Sequence, residues 1–204
     1  MLSANVIVSL HDTLTTAWHK VPEAGVPQPA ADWLQRVARQ HRANFDLWHI
    51  EDEARVPSAT DATLAAVKRR IDTTNQLRND LAEDLDHALL AWLQPQGLPA
   101  PLAPLHSESP GLMIDRLSIL ALKIFHTREE AERPGAPEGH AGRNRDRLAI
   151  LEEQRADLAA CLDALWREVL AGTRRFKLYR QLKMYNDPQL NPAIYRDLHD
   201  ESAS

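Results

Sequence analysis

The chain has 204 residues, and its apolar share of 44% and charged share of 26% are those of an ordinary globular protein that is long enough to bury a core. Its net charge of −5 argues against general nucleic-acid binding, and no apolar run approaches the roughly 20 residues that cross a bilayer. A single cysteine, Cys161, excludes an internal disulfide and suits a reducing cytoplasm, and the N-terminal segment lacks the basic start of a secretory signal.

Almost every apolar pattern in the chain has helical spacing, and no segment alternates as a strand would. We therefore predict an all-α fold, an antiparallel bundle of five to six helices with a long Pro-rich crossing connection. One domain is expected over residues 1–198, followed by a disordered tail over residues 199–204. The predicted helices cover residues 4–19, 31–55, 58–93, 110–133, 143–171 and 173–185.

The third and fourth helices have recognisable starts. Ser58 or Thr60 can cap the third helix, and Ser109 followed by Pro110 is a typical start for the fourth. The connection between them, "QPQGLPAPLAPLHSESPG", is too rich in proline to be a regular helix. We expect it to be an ordered crossing, because the helices on either side need packing partners.

A polar stripe runs along the third helix beside its apolar face. At 100° per residue the stripe lies at the margin of the core, where asparagine is a poor choice for helix formation. It is either a polar seam between helices or the lining of a cavity that holds a metal or a polar ligand. Its members are Lys68, Asp72, Asn75, Asn79 and Asp86.

The second helix carries a facing set of side chains. Asn44, Trp48 and Glu51 share one face with Arg55, and Asp52 lies next to it. In one interpretation Trp48 belongs to the core and the charges form surface pairs such as Glu51–Arg55. In the other, this face completes a ligand site with the polar stripe.

The fourth helix is apolar nearly all round, which is typical of a buried helix, yet it carries Asp115, Arg116, Lys123 and His126. Buried charges must pair or line a solvated site, although long side chains can also reach the surface from the margin. Arg155 interrupts a leucine seam on the fifth helix and needs a carboxylate or a phosphate as its partner.

Basic and aromatic residues alternate in "TRRFKLYRQLKMYNDPQLNP", which includes Arg180. Such a segment can bind nucleic acid, but the overall acidity favours a phosphorylated small molecule or an acidic partner. A solvated basic face is the simpler alternative. The sequence has no Gly-rich phosphate loop, and "HIEDE" lacks the second histidine of a zinc helix.

Five segments together resemble the bacterial family known as domain of unknown function 4254, over roughly residues 10–195. They are "NFDLWHIEDEARVP", "IDTTNQLRND", "SPGLMIDRLSILALKIFH", "ILEEQRADL" and "FKLYRQLKMYNDPQLNP". Members of this family tend to be encoded among glycosyltransferase and surface-polysaccharide genes, so the resemblance implies a role near glycan assembly. It supplies no catalytic residues.

The leading hypothesis is a cytoplasmic bundle, with or without catalysis, that binds a sugar phosphate or nucleotide sugar in surface-polysaccharide metabolism. The predicted ligands of Mg²⁺, which prefers oxygen donors, are Glu51, Asp52, Asp72 and Asp86. The other predicted ligand-binding residues are Asn44, Trp48, Lys68, Asn75, Asn79, Asp115, Arg116, Lys123, Arg155 and Arg180.

The alternative is a non-catalytic scaffold or partner of a glycosyltransferase, in which the polar stripes are buried seams that specify packing. The two hypotheses differ in geometry. The ligand site is favoured if one cavity brings together Asp72, Asn79, Arg116 and Arg155. The scaffold is favoured if these residues pair separately without a cavity. The oligomeric state stays open.

Overall fold

The computed structural model describes residues 2–26, 31–180 and 189–192. Five α-helices occur in these residues: α1 (Ala4–Lys20), α2 (Asp32–Glu53), α3 (Asp61–Leu93), α4 (Pro110–Glu132) and α5 (His140–Leu170). A short 3-10 helix, Gln94–Gln96, follows α3. The described part of the chain contains no named β-strand, so the predicted all-α class is confirmed. No helix described there has the length and apolarity that a bilayer crossing requires.

Local sequence determines where the helices begin. The Thr60 side chain caps α3 by accepting a hydrogen bond from the third backbone N–H after it. Ser109 caps α4 in the same way, and Pro110 occupies the first turn, where its missing N–H costs nothing. Gly139 precedes α5 with a φ of 73°, a conformation that glycine adopts without strain, so this helix begins three residues earlier than predicted.

Helix α4 contacts all four other helices and is the centre of the fold. Helices α2 and α3 pair antiparallel, because Arg36 near the start of α2 binds Asp84 late in α3, and Glu53 at the end of α2 binds Arg70 early in α3. The core around α4 is apolar, and burying each such side chain contributes roughly 1.5–3 kcal/mol. Its fully buried members include Ile7, Val37, Leu85, Ile114, Leu117, Leu162 and Val169.

The predicted sixth helix is wrong for the part of it that is described. Residues 173–180 are not helical, and Arg175 lies beside Leu105 of the Pro-rich connection. The N–H of Arg175 donates to the carbonyl of Pro104 at 3.0 Å, and the N–H of His106 donates to the carbonyl of Arg175 at 2.8 Å. These backbone hydrogen bonds replace the helical ones, and they tie down the crossing. Residues 181–185 and the predicted tail, residues 199–204, lie outside the described residues.

Candidate functional site

The structure does not bring together the carboxylates that were predicted to hold Mg²⁺, which are Glu51, Asp52, Asp72 and Asp86. Glu51 and Asp52 both pair with Arg55 at the end of α2, and Asp72 pairs with Lys68 one turn earlier on α3. At a rise of about 1.5 Å per residue, Asp86 lies about 21 Å further along α3 than Asp72. No three of these carboxylates approach one another closely enough to share an ion.

Asp86 instead anchors the start of α4. Its Oδ1 accepts the Gly111 N–H at 2.7 Å, and the Ser109 side chain also hydrogen-bonds to it. The helices meet so closely here that a Cβ added at Gly111 would lie 2.3 Å from the carbonyl oxygen of Ala82. Burial raises the pKa of Asp86 to about 6, although both hydrogen bonds act to lower it. The Asp86 carboxyl therefore holds the start of α4 against α3.

Asn44 and Asp115, both predicted as ligand-binding residues, do come together, but in a closed network. Asp115 accepts hydrogen bonds from the amides of Gln40 at 2.6 Å and Asn44 at 2.9 Å. The guanidinium of Arg78 binds both of its oxygens, through Nε at 3.0 Å and Nη2 at 2.9 Å. These residues, called here the Asp115 network, join α2, α3 and α4, and the carboxylate has little capacity left for a ligand.

Further buried polar groups continue from the Asp115 network towards α1. Asn44 also donates to Ser118 Oγ, which lies 2.7 Å from Nδ1 of His41. Nε2 of His41 lies 2.9 Å from Thr15 Oγ1, and the ring of His11 stacks on that of His41. Burial lowers the pKa of His41 to about 3 and that of His11 well below its ordinary value, so both rings are neutral at neutral pH. The polar interior is thus a seam of hydrogen-bonded side chains, except that both ring nitrogens of His11 and Oε1 of Gln40 have no partner among the described residues.

Other predicted ligand residues are dispersed. Arg155 forms an ion pair with Asp12 of α1, with Nη1 2.7 Å from Oδ1. Asn75 and Asn79 are half-buried on α3, and Arg180 is exposed after α5. None of these side chains lines the groove between α4 and α5 that contains the remaining predicted cations.

That groove has a volume of about 730 Å³ and is called here the α4–α5 groove. Arg116 faces it and pairs with Glu108 at 2.8 Å. Lys123 also faces it and forms no ion pair within the described residues. The polar and reactive side chains along it are His106, Glu108, Arg116, Lys123, Gln154, Asp157 and Cys161. Of the four residues whose convergence would favour a ligand site, only Arg116 reaches this groove.

Sequence reasoning missed a cluster of three histidines. His19, His49 and His126 come from α1, α2 and α4, and one ring nitrogen of each lies within 4.8 Å of the others. They are the only group of three or more potential metal ligands within the described ranges. The ring of Trp48, a predicted ligand residue, stacks on His126 with centroids 4.8 Å apart. One sequence feature connects the three histidines, since each directly follows an aromatic residue.

Residues 34–178 match the model of the family described as "Protein of unknown function (DUF4254)". The chain belongs to this family. No curated protein and no solved structure matches the chain.

Proposed function

We propose that this DUF4254 protein binds an anionic small molecule, a sugar phosphate or a nucleotide-linked sugar, in the α4–α5 groove. The observation that carries the proposal is the position of Lys123, whose ammonium group faces the groove without an acidic partner among the described residues. Arg116 lies seven residues earlier, about two helical turns, and so on the same face of α4. Two cations on one groove suit a phosphate, which accepts hydrogen bonds from both.

The other features of the groove agree with such a ligand. Its volume of about 730 Å³ lies within the range of roughly 300–1,000 Å³ of small-molecule sites. The Gln154 amide offers hydrogen bonds to sugar hydroxyls. Asp157, together with Glu108 once a phosphate takes its place on Arg116, would supply the one or two carboxylates with which proteins usually hold Mg²⁺ on a phosphate. This pair replaces the carboxylates predicted from the sequence.

The proposed setting is the cytoplasm, in surface-polysaccharide metabolism. The single cysteine suits a reducing compartment, and the family association with polysaccharide genes supplies the pathway.

A second candidate is a non-catalytic partner of a glycosyltransferase. The pairing of the predicted polar residues favours it, because Asp72 binds Lys68, Arg155 binds Asp12 and Asp115 is enclosed in its network. Such pairs would then specify how the helices pack and would contact no ligand.

A thermal-shift experiment separates the two candidates. Nucleotide sugars and sugar phosphates are added with and without Mg²⁺ to the wild type, Lys123→Ala and Lys68→Ala. A ligand at 100 times its Kd stabilises the wild type by about 2.7 kcal/mol. We expect Lys123→Ala to lose most of this shift, and Lys68→Ala, which removes the same charge outside the groove, to keep it. An equal loss in both variants would place the ligand elsewhere, and no shift for any compound would favour the partner protein.

A further inference from the structure

We propose that His19, His49 and His126 bind one divalent transition-metal ion, Zn²⁺ or a metal of similar ligand preference such as Co²⁺. One ring nitrogen of each histidine lies within 4.8 Å of the other two, and the rings come from three different helices. Imidazole nitrogens are preferred ligands of these metals, and three protein ligands with an open fourth position is a recurrent zinc arrangement. The site is separate from the α4–α5 groove and does not depend on the function proposed for it.

The hydrogen-bonding partners of the rings define which nitrogen is available. Nδ1 of His19 and of His49 each lie within 2.8 Å of the carbonyl oxygen one turn earlier on the same helix. Nδ1 of His126 lies 3.0 Å from a carboxylate oxygen of Glu129. Since these oxygens only accept, the proton is assigned to Nδ1 in all three rings, which leaves the lone pair on Nε2. Metal-binding histidines are oriented by the same kind of hydrogen bond from their second nitrogen.

The remaining nitrogens are not otherwise used. Nε2 of His19 and of His126 are buried and have no hydrogen-bond partner in the described structure. Ring stacking on Phe125 and Trp48 accounts for the packing of these two histidines but not for their unpaired nitrogens. A cation bound by the three rings would give these unpaired nitrogens a partner.

The geometry is close to what a metal requires. Zinc–nitrogen bonds of about 2.0–2.1 Å at tetrahedral angles place the ligand nitrogens about 3.4 Å apart. The nitrogens therefore need to approach by little more than about 1 Å, which small side-chain rotations can supply. A second groove, of about 710 Å³, is lined by His19 and His49 together with Arg42 and Arg70. This groove gives water access to two of the three proposed ligands.

The test is a Co²⁺ titration of the full chain without a histidine tag, followed by its visible absorption and by competition with Zn²⁺. The variants are His19→Gln, His49→Gln and His126→Gln, with His87→Gln as a matched control, because His87 is exposed on α3 and outside the cluster. We expect one ion per chain for the wild type and the control. Removing a hydrogen-bond partner of a metal ligand weakens metal binding roughly tenfold or more. Each cluster variant loses a ligand itself, so its affinity for Co²⁺ should fall by well over tenfold.

A second readout on the wild type covers the case in which a cluster variant does not fold. The nitrogen chemical shifts of the histidine rings should show protonated Nδ1 in His19, His49 and His126 before metal is added. Zn²⁺ should then move the Nε2 resonances of these rings and leave His87 unchanged. The proposal is overturned if the wild type binds no ion at one equivalent, if folded cluster variants bind like the control, or if the shifts occur only in other histidines.

Discussion

Arg78 binds Asp115 through two parallel hydrogen bonds, Nε to Oδ1 at 3.0 Å and Nη2 to Oδ2 at 2.9 Å. The two residues lie on different helices, α3 and α4, and only 7% of the Asp115 side chain is exposed. A bidentate pair in this position fixes the register of α3 against α4. The same carboxylate holds two amides of α2, so one side chain links three helices.

Replacing Asp115 with alanine should therefore destabilise the fold strongly. The change leaves the guanidinium of Arg78 and the amides of Gln40 and Asn44 without their acceptor, and breaking a buried pair in this way costs about 3–5 kcal/mol. Urea denaturation measures the loss. Asp72→Ala is the control, because it breaks an exposed pair on α3 that contributes about 0–1 kcal/mol. Similar losses in the two variants would show that the Asp115 network is not a stabilising centre.

The contribution of Asp86 to the stability of the protein should fall as pH rises from about 4 to about 6, against the opposite rise that the buried neutral rings of His11 and His41 cause over the same range. In the folded chain the pKa of Asp86 is about 6, whereas its ordinary value is 3.8. The folded state therefore holds the proton of this carboxyl more tightly than the unfolded state does. The stabilisation of the fold by this proton is complete below the ordinary pKa and is lost above the raised pKa. It amounts to about 3 kcal/mol, at roughly 1.4 kcal/mol per unit of pKa difference.

Denaturation of Asp86→Asn across this pH range tests the effect, because asparagine keeps an acceptor for Gly111 and has no proton to lose. We expect the stability of this variant to rise more steeply with pH than that of the wild type, because the opposing contribution of Asp86 is gone. Asp80→Asn, an exposed change on the same helix, should keep the pH dependence of the wild type. The same pH dependence in Asp86→Asn and in the wild type would contradict the contribution assigned to Asp86.

The close crossing of α3 and α4 makes Gly111 sensitive to any side chain. In Gly111→Ala the new methyl group meets the backbone oxygen of Ala82, which cannot move as a flexible side chain can. We expect a loss of about 1–3 kcal/mol in the free energy of unfolding. Gly142→Ala, on α5 with nothing within 4 Å of the added carbon, should instead gain about 0.5–1 kcal/mol. A neutral Gly111→Ala would mean that the helices separate at little cost.

The helices themselves were predictable because their determinants are local. Apolar spacing located all five, Ser109 was predicted as the cap of α4, and Thr60, the cap of α3, was one of the two residues offered for that position. The predicted helix at residue 173 failed because Arg175 bonds to Pro104 and His106, which are distant in sequence. Tertiary contacts there outweigh a helical pattern that is adequate on its own.

The candidate sites were less predictable because they depend on which helix faces meet. Asp115 was chosen correctly as a buried charge that needs a partner, but its spacing could not identify Arg78, 37 positions away. The three histidines are separated by whole helices and share only a preceding aromatic residue. The polar stripe on α3 likewise lies partly on the surface, where Asp72 meets Lys68.

The most direct test of ligand binding in the α4–α5 groove uses Cys161, which is exposed, lines this groove and is the only cysteine of the chain. The measurement is the rate at which a thiol reagent modifies Cys161 with and without the nucleotide sugar or sugar phosphate that raises the melting temperature most. A ligand in the groove at about ten times its Kd should slow the modification about tenfold, because only the free fraction reacts. A ligand that stabilises the protein but leaves the modification rate unchanged would contradict the proposed site.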